Sequence, residues 1–129
     1  MTQVGLKTDR GRKRDRNEDS LFVMPKEDIY IVADGVGGQN SGELASSMAV
    51  KTIAEYIKAN PLHGMTEEEK LKEYFLDCMV NANQIIYQAA RLTVENAGMA
   101  TTVVLLYLSQ GNAYVVNLGD SRAYICRDG

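Results

Sequence analysis

A chain of 129 residues is long enough for one domain with a real core and too short to expect two. Its 45% hydrophobic and 24% charged residues are those of an ordinary soluble globular protein. A formal charge of -3 and a pI near 5.1 argue against a nucleic-acid binder, because such domains carry a net basic field.

Met1 to Arg10 contains no apolar segment of the kind a secretory signal needs, and the longest apolar run, Val103 to Leu108, is far below the roughly 18 residues that span a bilayer. The default expectation is a cytoplasmic protein with no membrane partner. Val4 and Leu6 alternate with polar residues and predict a first strand, followed by a loop carrying Arg10, Arg12, Lys13, Arg14 and Arg16. Asp9, Asp15, Glu18 and Asp19 interrupt that basic run, so it reads as a solvated loop or an attractor of a phosphorylated substrate before it reads as a nucleic-acid patch. Ser20 to Met24 and the β-branched Ile29 to Ala33 predict two strands joined as a hairpin by Pro25-Lys26-Glu27-Asp28.

Ser41-Gly42-Glu43 can cap a helix whose apolar positions, from Leu44 and Ala45 to Tyr56 and Ile57, recur at three and four; it should stop near Asn60, before Pro61. Thr66 and Glu69 have the spacing of a capping box and open a stripe from Leu71 through Phe75, Cys78 and Ala82 to Ala89, predicting a helix from about 67 to 96. Thr101 to Leu108 and Ala113 to Leu118 read as two strands about a Ser109-Gln110-Gly111-Asn112 turn, and Gly119-Asp120 leads into a last strand over Arg122 to Cys126. Cys78 and Cys126 lack CxxC spacing and are expected to be small core residues; the tyrosines and methionines read as core filler. Strands, two helices, then strands imply an α+β domain with its helices on one face of an antiparallel sheet. Asp128-Gly129 is hairpin chemistry with no returning strand, so residues 1-129 are expected to be the front part of a larger fold. An edge strand near 122 to 127 would then be free to self-associate.

The chemistry concentrates in two segments. Ile29 to Ala33 delivers Asp34 into a Gly35-Val36-Gly37-Gly38 turn, and fifteen residues before Asp34 stand Arg14, Glu18 and Asp19. Carboxylates suit hard divalent cations, Gly35 permits a sharp turn that leaves its carbonyl open as a ligand, and the Arg14 guanidinium suits phosphate oxygens. The composition points to metal-assisted phosphoryl chemistry. Each piece also has a plain reading: a glycine turn after a strand, a polar Asn17-Glu18-Asp19 turn, a tight Gly119-Asp-Ser-Arg122 turn.

Four blocks occur in order: Thr8-Asp9-Arg10-Gly11 leading into Arg14-x-x-Asn-Glu-Asp19; Val32-Ala-Asp-Gly-Val-Gly-Gly38; Gly98-Met-Ala-Thr-Thr102; and Asn117-Leu-Gly-Asp-Ser-Arg-Ala123. Together they resemble the metal-dependent serine/threonine protein phosphatases, the type 2C or PPM family, in bacterial form, over essentially the whole chain. The resemblance implies a single phosphatase catalytic domain of which residues 1-129 are the N-terminal part, folded as part of an α-β-β-α four-layer sandwich. It implies two or three Mn2+ or Mg2+ ions, hydrolysis of phosphoserine and phosphothreonine by a metal-activated water, phosphorylated protein substrates and an opposing kinase. Asp34 resembles the carboxylate that bridges two ions, with the Gly35 carbonyl as a further ligand. Asp19 and Glu18 resemble ligands of the second ion, Arg14 the grip on the substrate phosphate, and Asp120 a holder of a third ion. Asp9, Thr101 and Thr102 would support them.

Departures accompany the likeness. Val36 stands where many eukaryotic members carry a histidine, Ala100 replaces a glycine, and the sole histidine, His63, lies in a loop. The Asp-His-Ser, Ser-Asp-Gly and Asp-Asn motifs of the family's second half, which bring two more metal-ligating aspartates, are not in this sequence. A chain with half the ligand set is therefore expected to be weakly active or inactive by itself, or a non-catalytic relative that binds phosphoproteins or regulates. A dinucleotide site is disfavoured because the glycines do not fit GxGxxG, and a haloacid-dehalogenase nucleophile because no second aspartate follows Asp34.

Overall fold

The computed structural model describes residues 2-38 and 40-129. β1 (Asp19–Met24) and β2 (Ile29–Val36) form an antiparallel hairpin about Pro25–Asp28, where Asp28 takes a φ of 53°, a left-handed conformation that aspartate tolerates. β2 runs past its expected end at Ala33, so Asp34 and Gly35 are strand residues and not the turn. A short β3 (Ala100–Thr101) pairs with this extension, Gly35 opposite Thr101. The predicted 101 to 108 strand is accordingly two strands, β3 and β4 (Val103–Ser109), interrupted at Thr102. β4 and β5 (Asn112–Leu118) are joined by Gln110 and Gly111 alone, both at positive φ, as the twist of a two-residue hairpin demands. The sheet order is β1-β2-β4-β5, every neighbour antiparallel, with β3 on β2.

α1 (Ser41–Ala59) ends before Pro61 as the sequence requires, with Asn60 as its C-cap. Its N-cap is Asn40 without a side-chain cap bond; the Ser41 hydroxyl, expected to cap, donates instead to the Glu95 carbonyl at 2.7 Å. α2 (Glu68–Leu92) is shorter than predicted. Thr93 is extended at φ -137° and a single 3-10 turn, Val94–Asn96, follows, because β-branched residues at 93 and 94 disfavour another turn of helix once no apolar face remains to bury. The Thr66 capping box does not form: the N-cap is Glu67, with no side-chain bond.

Alternation in the strands assigns the two sheet faces. Ile29, Ile31 and Ala33 are buried under the helices with Val103, Leu105 and Tyr107, while Val32 is 48% exposed on the opposite face. α1 contributes Ala49, Ile53 and Ile57 to this core and α2 contributes Leu71, Phe75 and Cys78. Each fully buried isoleucine or leucine stabilises by about 1.5–3 kcal/mol, and the core of this two-layer α+β unit lies between the sheet and the two helices. The four-layer arrangement is thus represented here by one helical layer on one sheet. Two predicted strands are absent among the described residues: neither the segment around Val4 and Leu6 nor Arg122 to Cys126 has a strand partner. Cys126 is exposed and not a core residue, whereas Cys78 is buried.

Candidate metal centre

Asp34 has the parity of Val32 and Val36, which places its side chain on the helix-free face of the sheet. In the β1–β2 register Asp19 lies directly opposite it, on the same face. Their neighbours one residue on, Ser20 and Ala33, point the other way, and Ser20 shares a hydrogen bond of 2.8 Å with Ser46 of α1. Two carboxylates are thereby brought together at one end of the outer face. Partial burial, the Asp34 charge and a hydrogen bond to Asp34 together raise the Asp19 pKa above the ordinary aspartate range; Arg14 nearby pulls it back and Glu18 adds to the rise. A strained like-charge pair of hard oxygens is what a divalent cation relieves.

The clamp on Asp34 is Thr102. The Asp34 amide donates to Thr102 Oγ1 at 3.1 Å, and the Thr102 amide donates to the Asp34 carbonyl at 2.9 Å. Thr102 Oγ1 also shares a hydrogen bond of 2.6 Å with the Ser121 hydroxyl, and Asn117 Nδ2 donates to the Ser121 carbonyl at 3.0 Å. The three later sequence blocks therefore meet at one residue. Gly119, at φ 103°, lies so close to Thr102 that a Cβ there would approach Thr102 Cγ2 to 2.8 Å. Ser121 and Asn117 stood in the fourth sequence block without a role assigned to either; the structure gives them one, holding Thr102.

The first block organises the approach. Asp9 Oδ1 accepts the Gly11 amide at 2.8 Å, Arg10 reaches back to the Asp15 carbonyl at 3.2 Å, and Asn17 Oδ1 accepts the Asp19 amide at 3.1 Å. These bonds shape the basic loop that ends at the carboxylates. Asp9, Asp19, Asp34, Ser121, Arg122 and Tyr124 line one open cleft of about 510 Å³. Arg14 is exposed and, among the described residues, in no ion pair, so its guanidinium is available to an anion. Asp120 is exposed in its turn and is not among the cleft residues; its neighbours Ser121 and Arg122 are. Among the described residues no group of three His, Cys, Asp or Glu side chains converges as a complete metal site.

A protein phosphatase 2C family model matches residues 8–129. The chain belongs to the protein phosphatase 2C family. It is 34% identical over 126 residues to the serine/threonine phosphatase Stp of Listeria monocytogenes, covering 95% of this chain and 49% of that protein. The crystal structure of the Mycobacterium tuberculosis phosphatase PstP/Ppp superposes with a TM-score of 0.80 at 28% identity over 95% of this chain and 48% of the other. The catalytic domain of PstP in complex with two manganese ions gives 0.79 at 28% identity, covering 95% and 50%. The chain thus spans about half the length of the relatives it matches.

Two glycines of this phosphatase 2C chain owe their place to packing, not to the turn expected at Gly35 or the helix cap expected at Gly42. A Cβ on Gly35 would overlap the Gly42 carbonyl, and one on Gly42 would overlap Glu18 Oε2. The end of β2 and the start of α1 are in backbone contact, and Glu18 is wedged beside them. Its carbonyl accepts the Gly35 amide at 3.1 Å, and its Oε2 is buried at the first turn of α1 without a hydrogen-bond partner among the described residues, where the positive dipole end of the helix offsets part of that cost. Glu18 thus faces the helix start, while Asp19 faces the cleft. Thr101 pairs with Gly35 and closes this corner from the other side.

Proposed function

We propose that this chain carries the phosphate-approach and first-carboxylate half of a metal-dependent protein serine/threonine phosphatase, with phosphoserine and phosphothreonine proteins as substrates. The observation that carries the reading is the Asp19–Asp34 pair, opposed across one hairpin, with Asp34 held by Thr102 and the Arg14 charge near Asp19. Asp34 and Asp19 would hold Mn2+ or Mg2+; their hard oxygens and mutual repulsion fit such an ion. When bound, the ion supplies Lewis-acid charge and lowers the pKa of a water. The chain's own residues do the rest: Arg14 binds and orients the phosphate, Asp9 shapes the loop that carries it, and Thr102 with Ser121 keeps Asp34 aimed. A third ion near Asp120, an opposing serine/threonine kinase and a cytoplasmic setting belong to the same reading.

A second reading is favoured by one observation, the absence of a converging group of three metal-binding side chains among the described residues. On it, the chain binds phosphorylated partners without turnover. Hydrolysis of p-nitrophenyl phosphate and a phosphothreonine peptide, with and without Mn2+ and with Asp34→Ala as control, separates the two. Activity needing both Mn2+ and Asp34 supports the enzyme for this chain. Inactivity of the 129 residues, with activity restored on adding the second half of a homologous phosphatase domain, would place catalysis in the two halves together. Inactivity under both conditions, with retained phosphopeptide binding, would establish the binding module.

A further inference from the structure

The basic loop ahead of β1 is a closed structure on the rim of the cleft. Lys7, Thr8 and Asp9 line the cleft where the loop leaves it, and Asp19 lines it where the loop returns. Asn17 Nδ2 donates to Thr8 Oγ1 and ties the two ends together. Inside that neck Asp9 Oδ1 holds the Gly11 amide, Gly11 turns the chain at φ 78°, and Arg10 Nη1 donates to the Asp15 carbonyl. Residues 10–16 are all exposed, so Arg12 and Lys13, in the middle of the excursion, stand in solvent.

Positive charge is concentrated there, and much of it is uncommitted. Residues 7–16 hold six lysines and arginines against two aspartates, whereas the rest of the chain holds eight against fifteen acids. Arg16 reaches Glu43 at 3.9 Å, and Arg10 serves the loop's own backbone. Arg12, Lys13 and Arg14 are in no ion pair among the described residues. Three adjacent like charges repel one another, and a bound anion would relieve that repulsion.

In the phosphatase reading Arg14 takes the substrate phosphate. Arg12 and Lys13 lie within about 7 Å of it along the backbone, the span of about two residues of an extended peptide. We propose that Arg12 and Lys13 select phosphoprotein segments that carry a second anionic group within about two residues of the phosphorylated serine or threonine. That group is a carboxylate or another phosphate, since both present oxygens to a guanidinium and an ammonium. A short acidic segment suits the loop better than a long polyanion, because the acids outside the loop repel anything that extends further. This selectivity rests on the phosphatase reading and narrows its substrate class.

Fluorescence anisotropy with non-hydrolysable phosphonate analogues of phosphothreonine peptides, in Mn2+, tests it whether or not the 129-residue chain turns over. One peptide has neutral flanks, one has glutamates two residues to either side, and one has a second phosphonate; an unphosphorylated glutamate peptide and a short RNA are run beside them. In about 50 mM salt the doubly anionic peptides should bind about tenfold more tightly than the neutral one, the size expected of two or three exposed ion pairs together. The preference should shrink below about twofold near 500 mM salt. A gain with only one of the two anionic peptides supports the proposal and names the source that the loop reads. The double variant Arg12→Gln, Lys13→Gln should lose the preference while its affinity for the neutral peptide changes by less than about threefold, with unchanged circular dichroism. Equal affinity for acidic and neutral phosphonate peptides, a preference that survives in the double variant, or equally tight binding of the unphosphorylated peptide or the RNA would overturn the proposal and leave the phosphatase reading standing. Failure to bind any phosphonate peptide would count against that reading itself and take the proposal with it.

Discussion

Asp19 and Asp34 oppose each other because a hairpin register leaves them no choice, and like charges directly opposite in a sheet cost about 0.2–1 kcal/mol, less where solvent screens them. Asp19→Asn should therefore raise stability in metal-free solution by about 0.5 kcal/mol in urea unfolding, while weakening Mn2+ binding by calorimetry. A drop in stability would mean that the pair is not repulsive. Thr102→Val leaves the Asp34 amide without its acceptor and Ser121 without its partner, at a cost of about 1–3 kcal/mol; Thr102→Ser should recover most of it. The glycine corner makes an ordered prediction. Gly35→Ala meets backbone and should cost about 3 kcal/mol, whereas Gly42→Ala meets a side-chain end that can swing away and should cost clearly less.

At the scale of elements, the strand and helix periods were legible because each element buries one face. β1, β2, α1 and α2 lie within a few residues of their predicted bounds. What was not legible depended on partners. A strand composition at 122–126 makes no strand without a neighbour to complete its ladder, and Cys126 follows it into solvent. Read as filler, three of the seven tyrosines turn out to be struts. Tyr107 donates to the Met65 carbonyl at 3.0 Å, Tyr114 to Thr66 at 3.2 Å and Tyr74 to Asn60 at 2.7 Å, pinning the α1–α2 connection to the sheet and to α2. Tyr107→Phe should cost about 1 kcal/mol and speed hydrogen exchange in residues 60–67. In the site, Asp19 and Asp34 were singled out from composition, and Asp9, Thr101 and Thr102 only as what the family resemblance implies. The inward turn of Glu18 was not, because nothing in a sequence says which of two adjacent acids a strand will bury.

For the whole molecule, burial pushes the Cys78 thiol up to about 12 from an ordinary 9.0. The folded state thus holds a proton that the unfolded chain gives up, so this contribution is complete below pH 9 and is lost as pH rises towards 12. The urea midpoint should fall between pH 9 and 11, and Cys78→Ala should show a shallower fall; equal slopes would remove Cys78 as the cause. The Thr102 clamp has a temporal side as well. Asp19 and Asp34 are joined by a short hairpin, but the Asp34 amide finds Thr102 across 68 positions of sequence. Local pairing precedes distant closure because loop entropy must be met first. In pulse-labelled refolding the Asp34 amide should be protected later than those of the β1–β2 hairpin. A chain caught midway would hold two neighbouring acids that nothing yet aims, and its affinity for Mn2+ would then report how far folding had progressed.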